Sequence, residues 1–383
     1  MHELREIVAH AARCRERGER AVLATLVAVR GSHYRKPGAR MLLAGAESTG
    51  VLSGGCLEGD LAERAARVLT RGTPEVVEYD LTRAGDALWG FGLGCAGVVT
   101  VLLEPLPAAA PHAPLAFVER CLARRERGAL ATLFAVEEVT AGAGPGAWLA
   151  LDVAGRISGN LTPALAERLL PDLRAVLDGA ATHGVELPWG EGSATALLEP
   201  VEPPVSLVLC GAGRDAVPMA TAARALGWEA TLVDLQDLAA TAERFAGVER
   251  VLGGPVRGLA DRLLLAPRAA AVVMTHRYLD DLALLEELLP LPFGYLGLLG
   301  PRARRERLLD DLAARGVVPS PTVRARLFGP AGLDLGSETP AEIALAVLAE
   351  ALAVLGGRPA PSVLALAALA DAAAAEAPAS AVP

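Results

Sequence analysis

The chain has 383 residues, 52% of them apolar, and a mean hydropathy of +0.37, so it is too long for one ordinary core and too apolar for a disordered chain. Its 36 basic and 45 acidic residues give a net charge of −9 with no basic stripe, which argues against a nucleic-acid partner, and no uncharged run is long enough to span a membrane. The N-terminal residues Met1-His-Glu-Leu-Arg-Glu are charged where a signal peptide would be apolar, so a cytoplasmic location with reduced thiols is expected.

The first half reads as a duplication. Leu23-Ala-Thr-Leu-Val-Ala-Val29 returns as Leu130-Ala-Thr-Leu-Phe-Ala-Val136, each copy preceded by an amphipathic helix that ends in Arg-Glu-Arg-Gly. Pro37-Gly-Ala39 matches Pro145-Gly-Ala147, Ser53-Gly54 matches Ser158-Gly159, and Leu102-Leu-Glu-Pro105 matches Leu197-Leu-Glu-Pro200. The order is the same in both copies and the spacing shortens toward the end. A helix–strand–strand–helix–strand unit, present at 1–105 and again with shorter loops at 113–200, accounts for the pattern.

The copies diverge where chemistry would sit. Copy one holds Arg40, then Ser53-Gly54-Gly55-Cys56-Leu57-Glu58, then a glycine loop containing Cys95; copy two has Trp148 in place of Arg40 and Asn160-Leu161 in place of Gly55-Cys56. Cys56 precedes a helix starting near Glu58, and a thiol at a helix N-terminus is favoured as thiolate. Cys95 lies between flexible glycines, and two cysteines in two such loops suit a soft metal or sulfur handling; buried cysteine as a small hydrophobe is the other reading. Cys14, Cys121 and Cys210 fall on apolar faces and are expected in the core. Arg30, Arg35, Lys36 and Arg40 cluster around the first glycine turn, and Arg40, which opens a strand, is the best placed of them to meet a phosphate.

Pro200-Val-Glu-Pro-Pro204 reads as a linker, since three prolines in five residues suit neither helix nor central strand. Beyond it, short apolar runs at 205–210, 230–234, 250–253, 269–275 and 294–299 alternate with helical patterns, as in a parallel sheet covered on both faces. Gly211-Ala-Gly213-Arg-Asp-Ala216 follows the first run and opens a helix, and Asp234 ends the second run roughly 20 residues on, the arrangement of a dinucleotide fingerprint. No arginine is adjacent to Asp234, which favours NAD over NADP. His276 stands at the end of the fourth strand, where open α/β sheets bind ligands; Tyr278, Asp280 and Asp281 either join it or cap the next helix. Thr339-Pro-Ala-Glu342 is a capping box for a last helix ending at Gly356-Gly357. The expected fold class is therefore α/β: a duplicated N-terminal α/β domain over 1–200, a Rossmann-type parallel-sheet domain over 205–358, and a flexible tail over 359–383.

Together these motifs resemble the XdhC/CoxI family of xanthine dehydrogenase accessory proteins. The likeness runs from Gly31-Ser32, Pro37-Gly-Ala-Arg-Met41 and Ser53–Glu58 through Gly92-Leu-Gly-Cys95 and Gly211-Ala-Gly213. It continues with Thr275-His276, Tyr295-Leu-Gly-Leu-Leu-Gly-Pro-Arg302 and Gly332–Ile343. The resemblance implies a molybdenum-cofactor (molybdopterin) chaperone that holds the cofactor while a cysteine desulfurase supplies sulfur, and delivers it to an apo molybdenum hydroxylase of the xanthine dehydrogenase type. On that view Cys56 and Cys95 would hold the metal, and Arg40, Gly54, Gly55, Gly211, Gly213, Asp234 and His276 would line the cofactor site, with NAD a further candidate ligand. The chain departs from the family pattern at Leu327-Phe328-Gly329-Pro330, where a histidine is expected, and at Arg277, where an acid is usual. A non-catalytic accessory role fits best, with a homodimer as a further expectation; the rival readings are an NAD-dependent oxidoreductase and a structural assembly factor with an inert nucleotide site.

Overall fold

The computed structural model describes residues 2–81, 97–140, 142–236, 244–245 and 248–358, which divide into two compact units at Pro203/Pro204. In the first unit each apolar run becomes a central strand of an antiparallel sheet. α1 (His2–Glu16) leads to β1 (Val22–Gly31), β2 (Arg40–Ala44), β3 (Glu47–Gly50), α2 (Glu58–Arg71), β4 (Glu75–Asp80) and β5 (Gly97–Pro105), ordered β3-β2-β1-β5-β4. The second copy repeats the plan: α3 (Ala113–Arg124), β6 (Gly128–Val136), β7 (Trp148–Asp152), β8 (Ile157–Gly159), α4 (Pro163–Asp178), β9 (His183–Trp189) and β10 (Gly192–Val201), ordered β8-β7-β6-β10-β9.

Each copy thus has two more strands than its apolar runs announce. All four of the extra strands (β3, β4, β8 and β9) are sheet edges, short or studded with polar residues, so they carry little apolar signal. The duplication extends to an irregularity. Pairing of β1 with β5 slips between Leu26 and Ala28, and pairing of β6 with β10 slips at the matching place, between Leu133 and Ala135. Val27 and Phe134 are the inserted residues, and a bulge re-aims the extra side chain. Both turn into a small apolar core with Leu102 and Leu197, which joins the copies.

The helices supply the rest of the packing. On α2, Leu61, Ala65 and Val68 recur at helical spacing and cover one face of the first sheet beside Val22, Ala24 and Val101. On α4, Leu165, Leu169, Leu173 and Val176 do the same for the second sheet. Cys14 of α1 and Cys121 of α3 are buried in equivalent cores, and burial pushes the Cys121 thiol up to about 11.

The second unit is a six-stranded parallel sheet: β11 (Ser206–Cys210), β12 (Glu229–Val233), β13 (Arg250–Leu252), β14 (Ala269–Val273), β15 (Tyr295–Leu298) and β16 (Leu327–Phe328), ordered β13-β12-β11-β14-β15-β16. The order reverses between β11 and β14, which opens a crevice at the C-terminal ends of those strands, the Rossmann topology. Strands with nearly every residue buried are covered on both faces. Helices 278–288 and 302–314 cover one face; α5 (Ala216–Ala225) and helix 340–355 cover the other. Thr339 and Glu342 form both halves of the expected capping box. β16 was not announced, because two residues before Gly329-Pro330 make no periodic pattern. The segment 359–383 lies outside the described residues. Among those described, no helix is long and apolar enough to cross a membrane.

Candidate functional site

The fingerprint turn lies at the crevice. Gly211 has φ +125°, and a Cβ there would lie 2.6 Å from the Met274 carbonyl oxygen, so only glycine lets β11 pass this close to the end of β14. The turn opens into α5 and forms the wall of a cleft of about 330 Å³ with Asp234, Gln236, Arg244, Thr275, His276 and Asp280. Asp234 is buried, and one of its carboxylate oxygens accepts the Gln236 amide at 2.9 Å. Gly211, Gly213, Asp234 and His276 are therefore brought to one cleft, as a nucleotide site requires.

Three details differ from the expectation. Arg244, ten residues after Asp234, lines the same cleft and donates to the Ala212 carbonyl at 2.6 Å, so the cleft wall carries a cation although none is adjacent to Asp234 in sequence. Asp215 turns its carboxylate back over Gly213, where a Cβ would collide with it, and its other oxygen is 2.7 Å from His276 Nε2. His276 holds a left-handed φ of +61°, sparsely populated by side-chain-bearing residues. The glycine cradle fits an anion at a helix N-terminus, but a carboxylate of the chain already leans on it. Asp215 sits inside the motif that located the turn, and an acid at this position was the available signal.

The neighbours of His276 divide: Asp280 also lines the cleft, whereas Asp281 and Tyr278 are engaged elsewhere in the unit, and the helix they open has no side-chain cap. Asp281, almost wholly buried, accepts from the Thr275 hydroxyl and from Arg304, each at 2.6 Å. Asp280 pairs with Arg277 at 3.2 Å. Tyr278 donates to Asp311 at 2.7 Å, with Arg304 and Arg307 over its ring.

In the first unit, three connections leave the same end of the first sheet: from β1 to β2, from β3 to α2, and between Asp80 and Gly97. The second contains Ser53–Leu57. Glu58, in the first turn of α2, accepts the Ser53 amide at 3.0 Å, the Leu57 amide at 3.1 Å and the Ser53 hydroxyl; the Ser53 oxygen in turn accepts the Leu57 amide at 3.1 Å. Partial burial works against ionisation of Glu58, yet the donors from Ser53 and Leu57 outweigh it and hold its carboxyl below the ordinary range. This clamp fixes the loop that presents Cys56. Gly54 and Gly55 lie exposed on it, Gly55 with φ +107°, and Cys56 is half-buried against the apolar core between α2 and the first sheet. Cys95 lies outside the described residues. Among those described, no group of three or more His, Cys, Asp and Glu side chains could hold a metal ion.

The three arginines around the first glycine turn have other partners than a phosphate. Arg40 is buried and forms a two-pronged pair with Glu199 at the end of copy two, one contact at 2.9 Å. Arg35 pairs with Glu3, and Arg30 with Glu78 at 3.0 Å. An arginine whose fork is filled by a buried carboxylate has little left to offer an anion. The missed residue is Glu199; an acid recurring inside the apolar run Leu-Leu-Glu-Pro was the signal for it.

Comparison with known proteins follows the same two parts. Residues 207–351 match the XdhC Rossmann domain, and residues 14–80 match the XdhC and CoxI family. The chain is 31% identical over 333 residues to a probable xanthine dehydrogenase subunit of Bacillus subtilis (strain 168), covering 87% of this chain and 92% of that protein. It is 33% identical over 154 residues to the uncharacterized protein YqeB of Escherichia coli (strain K12), 40% of this chain and 28% of that one. The crystal structure of a xanthine dehydrogenase from Bacillus halodurans is similar with a TM-score of 0.74 at 25% identity, over 96% of this chain and 99% of that chain.

Proposed function

This chain belongs to the XdhC and CoxI family, and from that premise we propose that it is an accessory protein that binds molybdenum cofactor as cargo, holds it for sulfuration, and passes it to a molybdenum hydroxylase of the xanthine dehydrogenase type. The observation that carries the reading is the clamped cysteine. Cys56 is half-buried on a loop that Glu58 and Ser53 bridge with hydrogen bonds, at the sheet end from which the Asp80–Gly97 connection also departs. A fixed, accessible thiol is what soft-metal contact or sulfur transfer requires; Cys14, Cys121 and Cys210 are too deeply buried to serve. Cys95 would add a second thiol. The glycine turn at Gly211 and Gly213 would take a phosphate of the cofactor or a nucleotide, and a cysteine desulfurase would supply the sulfur.

The test is to purify the full chain after co-expression with a cofactor biosynthesis system and to measure bound molybdenum and pterin fluorescence. The Cys56→Ala/Cys95→Ala variant loses the molybdenum while its thermal melt stays within a few degrees of the parent. Undiminished metal in the double variant defeats the thiol assignment. Nicotinamide reduction with candidate alcohols or aldehydes tests the rival oxidoreductase reading.

A further inference from the structure

A second cleft, of about 400 Å³, opens beside the first at the C-terminal edge of the parallel sheet. Met219, Leu299, Pro301 and Ile343 make it mostly apolar, with Arg304 in its wall. Met274 and His276 line both clefts, so they form the shared wall, and Asp215 reaches that wall through its 2.7 Å contact with His276. The first cleft carries the glycine turn and the buried Asp234; the second lies over the ends of β14 and β15. The first is the more polar and suits a ribose and its phosphate, and the other suits a flat ring.

We propose that the two clefts are halves of one groove for a diphosphate-linked dinucleotide, and that the Asp215–His276 pair is its gate. This rests on the reading of the glycine turn as a phosphate cradle, and not on the role given to the cysteines. The first turn of α5 and the glycine amides attract negative charge. In the closed arrangement the Asp215 carboxylate sits against Gly213 and engages His276. A diphosphate crossing from one cleft to the other must pass this point. It repels Asp215 and takes His276 as its own partner, so the imidazole exchanges one anion for another while the carboxylate swings away. A ligand confined to one cleft and lacking phosphate leaves the pair closed. Asp215 thereby weakens dinucleotide binding and selects for ligands able to use both clefts at once.

The probes are NAD, ADP and adenosine, titrated by calorimetry against the full-length protein. Asp215→Asn keeps the shape of the side chain and removes its charge. It tightens NAD by about tenfold, the effect of removing one unit charge a few ångströms from an anion, and changes adenosine by less than about twofold. Ile343→Trp fills the second cleft and weakens NAD by at least about tenfold while ADP is little changed, since only NAD extends that far. The proposal is overturned if Asp215→Asn leaves NAD unchanged or weaker, if Ile343→Trp weakens ADP as much as NAD, or if NAD binds to neither the parent nor the Asp215→Asn protein. Molybdenum content of the cysteine variants is a separate readout, so this proposal and the chaperone reading fail on different results.

Discussion

At the scale of single residues, Glu58 shows how one carboxylate sets a loop. Its pKa is below the ordinary range because the Ser53 and Leu57 donors favour the ionised form more than burial disfavours it. The stability it contributes is therefore complete above its unfolded pKa and is lost as pH falls through the lower folded value. Hydrogen exchange of the Ser53 and Leu57 amides reads this directly. Protection at both falls as the solution is acidified through that interval, and Glu58→Gln, which keeps one acceptor oxygen, shows weaker protection at neutral pH and little dependence on acid. Equal acid sensitivity in parent and variant would assign the loop's order to something else. Cys56 is conspicuous in the sequence, standing after two glycines and ahead of a helix, but nothing there hints at the clamp. Glu58 reads as an ordinary first-turn acid until its three donors are seen folding back from the preceding loop. Asp215 is similar: the fingerprint is legible as a string, whereas the direction in which its one acid points is a property of the folded turn.

At the scale of elements, the duplication was legible and its joint was not. Repeated strings such as Leu-Ala-Thr-Leu mark β1 and β6 because these central strands are buried on both faces along that stretch, while the edge strands β3 and β8 share only a final glycine, Gly50 and Gly159, so that Ser158-Gly159 lies in β8 whereas Ser53-Gly54 lies beyond β3. The copies meet through an exchange between their ends. Arg40, at the start of β2, reaches Glu199 of β10, and the Pro-Gly-Ala turn of copy two brings Gly146 against Glu104 of β5. Copy two has Trp148 where copy one has Arg40, so only one of the two acids receives an arginine; Glu104 has His112 at 3.6 Å. The asymmetry makes Arg40 a structural cation, with Glu199 holding it charged despite its burial. Removing one partner of a buried pair strands the other, at a cost of about 3–5 kcal/mol, whereas replacing both with apolar side chains of similar volume is near neutral. Glu199→Ala is accordingly expected to destabilise the protein by that amount in urea unfolding, and Arg40→Met/Glu199→Leu to recover most of it. If the double replacement is as damaging as the single, the charges have a role beyond joining the copies.

At the scale of the whole molecule, each unit has apolar cores of its own. Among the described residues, the cores on the two faces of the parallel sheet draw their side chains from after Pro204, and the cores of the antiparallel sheets draw theirs from before it. A domain of about 150 residues buries more than two-thirds of the surface its unfolded chain exposes, enough for independent stability. The parallel sheet has further anchors within its own unit. Tyr295 donates to the fully buried Glu350 at 2.7 Å, and Glu350 also accepts the Gly332 amide at 2.7 Å, so the last helix is tied both to β15 and to the loop that precedes it. A fragment spanning 204–358 should therefore fold alone. In scanning calorimetry it is expected to give one cooperative transition with an enthalpy of roughly 0.7 kcal/mol per residue. Tyr295→Phe takes the hydroxyl donor away from the buried Glu350 carboxylate, and should lower the midpoint of that same transition without dividing it. A fragment that melts gradually, with no heat-absorption peak, would mean that the parallel sheet draws its stability from beyond its own residues. The linker prolines would then mark a change of composition without marking a boundary of cooperative folding.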